Sequence, residues 1–253
     1  MKAIYATQVK KKEVIGKIDI NGINIIKMSD KEEIFEQINF WIFPGLNKLQ
    51  INLDWPVSKQ FKEGYSQFSL NIFQGESGKL LSEAKSILTY NWPQKDVEEV
   101  YPKEILLSFD VKYVPLTNFW RLSKPIILND KMIEKVIKFV CNVHQHFENK
   151  ELSELLNIFD FKALDIGNLM YFSNKKARDS QKDFFEFVMD TPNWSMKPIN
   201  LEQIEYTLFA NNRLLLISAN GYEPIIQSNP SNGPKLILQI YLALINDELT
   251  IVR

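Results

Sequence analysis

The chain has a single cysteine, Cys141, and only two histidines in 253 residues. One thiol can close no disulfide within the chain and cannot build a cysteine-rich zinc site. Glycine is scarce, at 9 residues, and none of the nine stands in a G-x-G-x-x-G, G-x-x-x-x-G-K-[ST] or G-x-S-x-G arrangement. A dinucleotide loop, a P-loop and a serine nucleophile elbow are therefore excluded, and H-E-x-x-H is absent as well. Charge of neither sign dominates: 30 Lys and Arg face 31 Asp and Glu, which leaves no global field to draw nucleic acid or an anionic membrane. The densest basic spots, Lys10-Lys11-Lys12 and Lys175-Lys176 with Arg178, are short and read as solvated. No apolar run reaches the length of a membrane span, and residues 1–16 lack the apolar stretch of a signal peptide, so the expected compartment is the cytoplasm.

What is present is an ordinary balance, 45% hydrophobic and 24% charged, with 17 phenylalanines. The length favours two domains over one core. The clearest element is a helix over 129–150. At about 100° per residue, Ile133, Val136, Ile137, Val143, His144 and Phe147 cluster around Val140, while Lys131, Glu134, Lys135, Lys138 and Asn142 fall opposite. Asn129 or Asp130 supplies the N-cap. Cys141, on the flank of this stripe, reads as a partly buried structural thiol.

Before that helix the periods are those of strands. Residues 17–28 alternate around Asn21-Gly22, the pair that readily takes the two positive φ angles of a type I′ hairpin. Ser29 to Glu32 has the S-x-x-E form of a capping box, and Ile34, Phe35 and Ile38 follow at helical spacing, which predicts a short helical turn with strand as its competitor. Pro44-Gly45 makes a turn, and 46–55 alternates Leu49, Ile51, Leu53 and Trp55 against Lys48, Gln50, Asn52 and Asp54. Further strands are predicted over 65–73, 80–90 and 104–114, so residues 1–124 read as an antiparallel sandwich. Between the last two, Trp92, Asp96, Glu98, Glu99 and Tyr101 form an acidic, aromatic-flanked exposed segment. It reads either as a solvated connector or as a contact for a basic partner protein.

After 125 the pattern is helices first: 129–150, 151–159 and 179–189, the last presenting Phe184, Phe185 and Val188 on one side and stopped by Thr191-Pro192. An irregular segment is predicted around Gly167. Strands follow over 204–209, 213–219, 236–245 and 248–252, with turns at Asn211-Asn212, Asn220-Gly221 and Asn246-Asp247. Residues 125–253 thus form an α+β layer in which a curved antiparallel sheet wraps the long helix.

Two resemblances accompany this reading. Asn21, Gly22, Pro44, Gly45, Asn47, Leu49, Ile51 and Leu53 resemble the Asn-Gly hairpin and following turn and strand of sandwich modules appended to glycoside hydrolases. There the matched residues are scaffold, so the resemblance implies a β-sandwich and not sugar binding. The helix-then-sheet order, ending in KLILQIYLALINDELTIVR, resembles the cone-shaped α+β fold of the nuclear transport factor two-like superfamily. That superfamily includes scytalone dehydratase and ketosteroid isomerase, and hosts enzymes, ligand binders and dimerisation modules alike.

A cone with a pocket would place Asp160, Asp165, Tyr171 and His144 as the candidates for proton transfer or ligand contact. No acid-base pair of the hydrolytic or isomerase members can be assembled from them, and the many phenylalanines nearby can fill the cavity. His144 and His146 point about 200° apart on a helix and cannot share an ion, and Cys141 with His144 falls short of the three ligands zinc needs. Neither metal nor cofactor is expected, and no catalytic residue is assigned. The leading expectation is a non-enzymatic bacterial protein that binds another protein, such as an immunity protein neutralising a basic toxin domain. A homodimer through the C-terminal sheet is compatible with it. The alternatives are a small-molecule or carbohydrate binder and a divergent lyase or isomerase using the cone.

Overall fold

The computed structural model describes residues 2–28, 31–54, 67–80, 83–93, 103–220, 223–229 and 233–253. The chain is α+β and divides into two compact units, Met1–Leu116 and Thr117–Arg253.

The first unit holds β1 (Ala3–Lys12), β2 (Ile15–Ile20), β3 (Ile23–Met28), β4 (Glu33–Gln37), β5 (Gly45–Asp54), β6 (Gln67–Glu76), β7 (Lys85–Trp92) and β8 (Lys103–Val111). They pair antiparallel in two sheets, β4-β1-β6-β7 and β3-β2-β5-β8. Alternate residues Tyr5, Val9, Leu70 and Ile72 of the first sheet and Ile18, Leu49, Ile51 and Leu53 of the second are buried. Each sheet therefore turns one apolar face inward, the arrangement that gives a strand period of two its stability.

The Asn21-Gly22 hairpin forms as expected, with φ of 52° and 75° and Ile20 opposite Ile23. Asn47 explains why the hairpin and the Pro44-Gly45 turn occur together. Its side chain is fully buried, donates to the carbonyls of Phe43 and Gly45 at 2.9 Å each, and accepts from Phe43 N at 3.1 Å and Asn21 Nδ2 at 2.8 Å. Asn21 in turn donates to Trp41 O and accepts from Lys48 N. One buried amide thus satisfies two turns at once.

Two elements differ from expectation. The segment predicted as a helical turn is β4, which pairs with Ala6–Lys10 of β1. Five residues cannot recover the cost of helix nucleation, whereas a ready strand edge supplies partners at once. β1 itself was not predicted, although it pairs with both β4 and β6 and buries Ala3, Tyr5, Thr7 and Val9.

The second unit holds α1 (Asn118–Leu122), α2 (Asp130–Glu148), α3 (Leu152–Leu169) and α4 (Asn174–Met189). They are followed by β9 (Ile204–Phe209), β10 (Leu214–Ala219), β11 (Glu223–Pro224), β12 (Ile226–Gln227), β13 (Ile237–Leu238), β14 (Ile240–Ile245) and β15 (Glu248–Ile251). α1 precedes residue 124 in sequence but is bonded to this unit, so the division lies at 116/117 rather than at 124/125. β10 and β14 form the middle of an antiparallel sheet with β15 at one edge and β9 at the other, and β12 pairs with β13. α2 is capped by Asn129, whose side chain accepts from Met132 N at 2.9 Å. Its stripe of Val136, Val140, Val143 and Phe147 is buried in one core with Leu215, Ile217, Ile240 and Leu242 of the sheet.

α3 runs to Leu169, ten residues beyond the helix expected there. Gly167 lies inside it because the crossing with α4 is too close for a side chain: a Cβ would stand 2.5 Å from Ala177 Cβ. Cys141 is exposed rather than partly buried. Phe185 is buried but Phe184 is 42% exposed and Phe187 65%, so α4 turns one aromatic inward and two toward solvent. No helix among the described residues is long and apolar enough to cross a membrane.

Candidate binding site

In the second unit, the candidates Asp165, Asp160 and His144 are each held in a structural bond, and Tyr171 ends a helix. Asp165 is buried on α3, accepts from Asn118 N at 2.6 Å and from Phe119 N at 3.4 Å, and pairs with Arg253 at 2.9 Å. Its carboxylate thus serves the first backbone amides of α1. Asp160 forms a two-point ion pair with Arg178 at 2.6 and 2.9 Å, and the hydrogen bonds from that guanidinium hold its carboxyl below the usual range. Tyr171 occupies the left-handed position after α3, φ 58°, while Phe172 N donates to Gly167 O and closes the helix end.

His144 Nε2 lies 3.0 Å from the carbonyl of Lys197. Since a carbonyl only accepts, this nitrogen carries the proton. His146 Nδ1 bonds the Glu151 carboxylate, and the Asn142 amide reaches its Nε2 at 2.9 Å. Both ring nitrogens of His146 are engaged, and the bond to Glu151 holds that carboxyl below its ordinary range. The two histidines serve different bonds, and the described residues contain no cluster of three or more His, Cys, Asp or Glu able to hold a metal.

Three aromatic rings pack together in the core of this unit. Phe147, Phe159 and Phe185 meet edge to face, with centroids 5.1 to 6.1 Å apart and all three rings fully buried. Such contacts add to the apolar burial they make. The three rings come one each from α2, α3 and α4 and belong to the core of this unit.

In the first unit, Asp96, Glu98, Glu99 and Tyr101 lie outside the described residues. Trp92 belongs to β7, opposite Phe68, and is 2% exposed. It was expected on an exposed segment, but the alternation that buries Tyr90 carries it inward too.

An open cleft of about 610 Å³ lies elsewhere in this unit, between the β6–β7 turn and the end of β8. Its apolar side is made by Leu80, Ile87 and Tyr113. Ile87 reaches it through an irregularity in β7: Leu88 pairs with Ile72 and Ser86 with Phe73, so Ile87 is the extra residue of a bulge. Bulges re-aim side chains in this way and are common beside functional sites.

Six charges surround that side. Glu76 and Lys79 pair at 2.8 Å, which lowers the carboxyl and raises the ammonium. Glu83, Lys85, Asp110 and Lys112 are exposed and make no ion pair among the described residues. A concave apolar surface ringed by unpaired charge of both signs is suited to a ligand with an apolar anchor and polar flanks. The cleft's lysines and carboxylates show no distinctive spacing in the sequence. The one sequence signal at its position is the turn-forming composition of Gly75-Glu76-Ser77-Gly78.

No family model, no curated protein and no solved structure matches the chain.

Proposed function

We propose that the protein is a non-enzymatic binding protein whose ligand is another protein, with toxin neutralisation by a bacterial immunity protein as its specific form. The observation that carries this reading is the cleft at the β6–β7 turn, where apolar Leu80, Ile87 and Tyr113 meet four charges that make no ion pair among the described residues. Protein interfaces combine an apolar centre with a polar rim in this way. In the second unit Asp165 serves α1, Asp160 pairs with Arg178 of α4, His144 donates to Lys197 O, and His146 bonds Glu151 and Asn142. Phe147, Phe159 and Phe185 pack together in the core of that unit.

The acidic sequence at Asp96, Glu98 and Glu99 adds a second contribution, by speeding encounter with a basic partner. A small-molecule ligand is the second reading, favoured by the cleft's volume, which falls within the range of ligand sites.

The test starts from proteins that copurify with the chain from its source organism, each then purified and titrated. Lys85→Glu with Lys112→Glu is expected to weaken binding, and Asp96, Glu98 and Glu99→Lys to slow association and flatten its salt dependence. A purified protein that turns over a small molecule, and loses that turnover with Asp160→Asn or His144→Ala, overturns the reading.

A further inference from the structure

We propose that Lys162 is a reactive amine whose Nζ is the chain's preferred site of acylation by small acyl thioesters. The residue lies on α3 in the second unit, so the proposal is independent of the cleft and of the protein-binding reading.

The placement of the side chain carries it. Residues three and seven apart share a helix face, so Lys162 falls on the side of α3 that buries Leu155 and Phe159 rather than on its solvated side. Its Nζ stands 5.6 Å from the centroid of the fully buried Phe159 ring and makes no hydrogen bond or ion pair among the described residues. The carboxylates nearby in the helix are already committed. Asp165, one turn on, serves Asn118 N, Phe119 N and Arg253, and Asp160, two residues back, is held by two bonds from Arg178 of α4. The charge that acts on Lys162 from outside α3 is Arg253, which follows β15 and has the same sign. Two cations and one committed carboxylate thus share a largely buried corner, where the neutral form of the lysine is favoured. The side chain is partly exposed, so a small reagent can reach it.

Burial, with the Arg253 cation adding to it, brings the ammonium down to about 8. At pH 7 about a tenth of the side chain is then free amine, against about 0.03% for a solvated lysine. Desolvation on an apolar surface and a neighbouring cation are the two means by which a lysine becomes a nucleophile. In the step, the Nζ lone pair attacks the thioester carbonyl carbon, a C–N bond forms, the C–S bond breaks, and the thiolate leaves with the proton that the amine gives up. The products are a neutral amide and a free thiol, so nothing is oxidised or reduced. The amide no longer sets a cation beside Arg253, and acylation therefore stabilises the second unit near neutral pH.

The probe is S-acetyl-N-acetylcysteamine, incubated in limiting amount with the full chain and followed site by site by proteolysis and mass spectrometry. At pH 7 Lys162 should label about tenfold or more faster than the exposed Lys48 and Lys135, because its gain in free amine exceeds the nucleophilicity lost with the lower basicity. Its rate should level off above about pH 8, while theirs climbs on toward about pH 10.5. Urea should erase the preference. Lys162→Arg should remove this label and leave the others unchanged. Acetylated wild type should unfold at a higher temperature at pH 7 than the untreated chain, and Lys162→Arg, which keeps the cation, should gain nothing from the same treatment. Labelling of Lys162 no faster than that of Lys48 and Lys135, a rate that tracks theirs to high pH, a preference that survives urea, or a lower unfolding temperature after acetylation overturns the proposal. If Lys162 labels only once millimolar inorganic phosphate is removed, the corner is an anion site instead, and the proposal falls.

Discussion

Arg253 Nη1 donates to Asp165 Oδ2 at 2.9 Å, with the two side chains 4% and 0% exposed. The same carboxylate receives the first backbone amides of α1, while Arg213 donates to the carbonyls of Trp120 at 2.5 Å and Ser123 at 3.0 Å at the helix's other end. α1 is thus seated between an anion at its amino end and a cation at its carboxyl end, as its backbone dipoles favour. Asp165→Ala leaves Arg253 buried without its partner and should cost about 3–5 kcal/mol in urea unfolding. Asp165→Leu combined with Arg253→Met should recover much of that loss, because desolvation is then removed with the attraction. A single variant as stable as wild type would show that the pair contributes nothing.

Lys162 lies partly buried on α3 with its Nζ 5.6 Å from the centroid of Phe159. Burial, with the Arg253 cation adding to it, pulls its ammonium down from 10.5 to about 8. The unfolded chain keeps this proton up to about pH 10.5, whereas the folded chain releases it near pH 8. Folding stability attributable to Lys162 therefore rises as pH passes from 8 to 10.5 and is absent below 8, by at most about 3 kcal/mol. Lys162→Met should remove this rise and be more stable than wild type at pH 7. Parallel unfolding curves of the two proteins at pH 7, 9 and 10.5 check the sign.

Asn47 makes four hydrogen bonds from a fully buried amide. Asn47→Ala strands Phe43 N and O and the Gly45 carbonyl, and should destabilise the first unit by about 3 kcal/mol, since each buried orphan costs about 1–3 kcal/mol and the losses overlap. Asn47→Asp keeps the acceptor and loses both donations, so it should be intermediate or worse. Unfolding midpoints within error of wild type would remove Asn47 as the knot between the two turns.

Val140 is 1% exposed at the middle of the α2 stripe. Val140→Asp puts an unpaired charge into the second core and should cost more than about 3 kcal/mol. Unchanged thermal unfolding would contradict the position of this helix against the sheet.

His146→Gln should leave the fold intact and any zinc content unaltered, because both ring nitrogens already serve Glu151 and Asn142. Metal analysis of the purified variant beside wild type decides it. Stoichiometric zinc lost on substitution would reverse the assignment.

Local chemistry determined much of this molecule directly. The hairpin at Asn21-Gly22 was legible because few residues tolerate two successive positive φ angles, and α2 because a stripe of valines at helical spacing has few other uses. β5 and the C-terminal strands were legible from alternation and from Asn-rich turns. The α+β order followed from those periods. What was not legible depends on partners distant in sequence. β4 is a strand because β1 stands beside it, and β1 escaped prediction because Thr7 and Lys11 share its inward face and dilute the apolar signal. α3 passes through Gly167 because Ala177 is close enough to require a missing Cβ. Asp165 became a structural carboxylate only when Asn118 and Arg253, 47 and 88 residues away, arrived at it. The cleft belongs wholly to this second class: its residues come from the β6–β7 turn, from a bulge and from the end of β8, and only the pairing of strands brings them to one place.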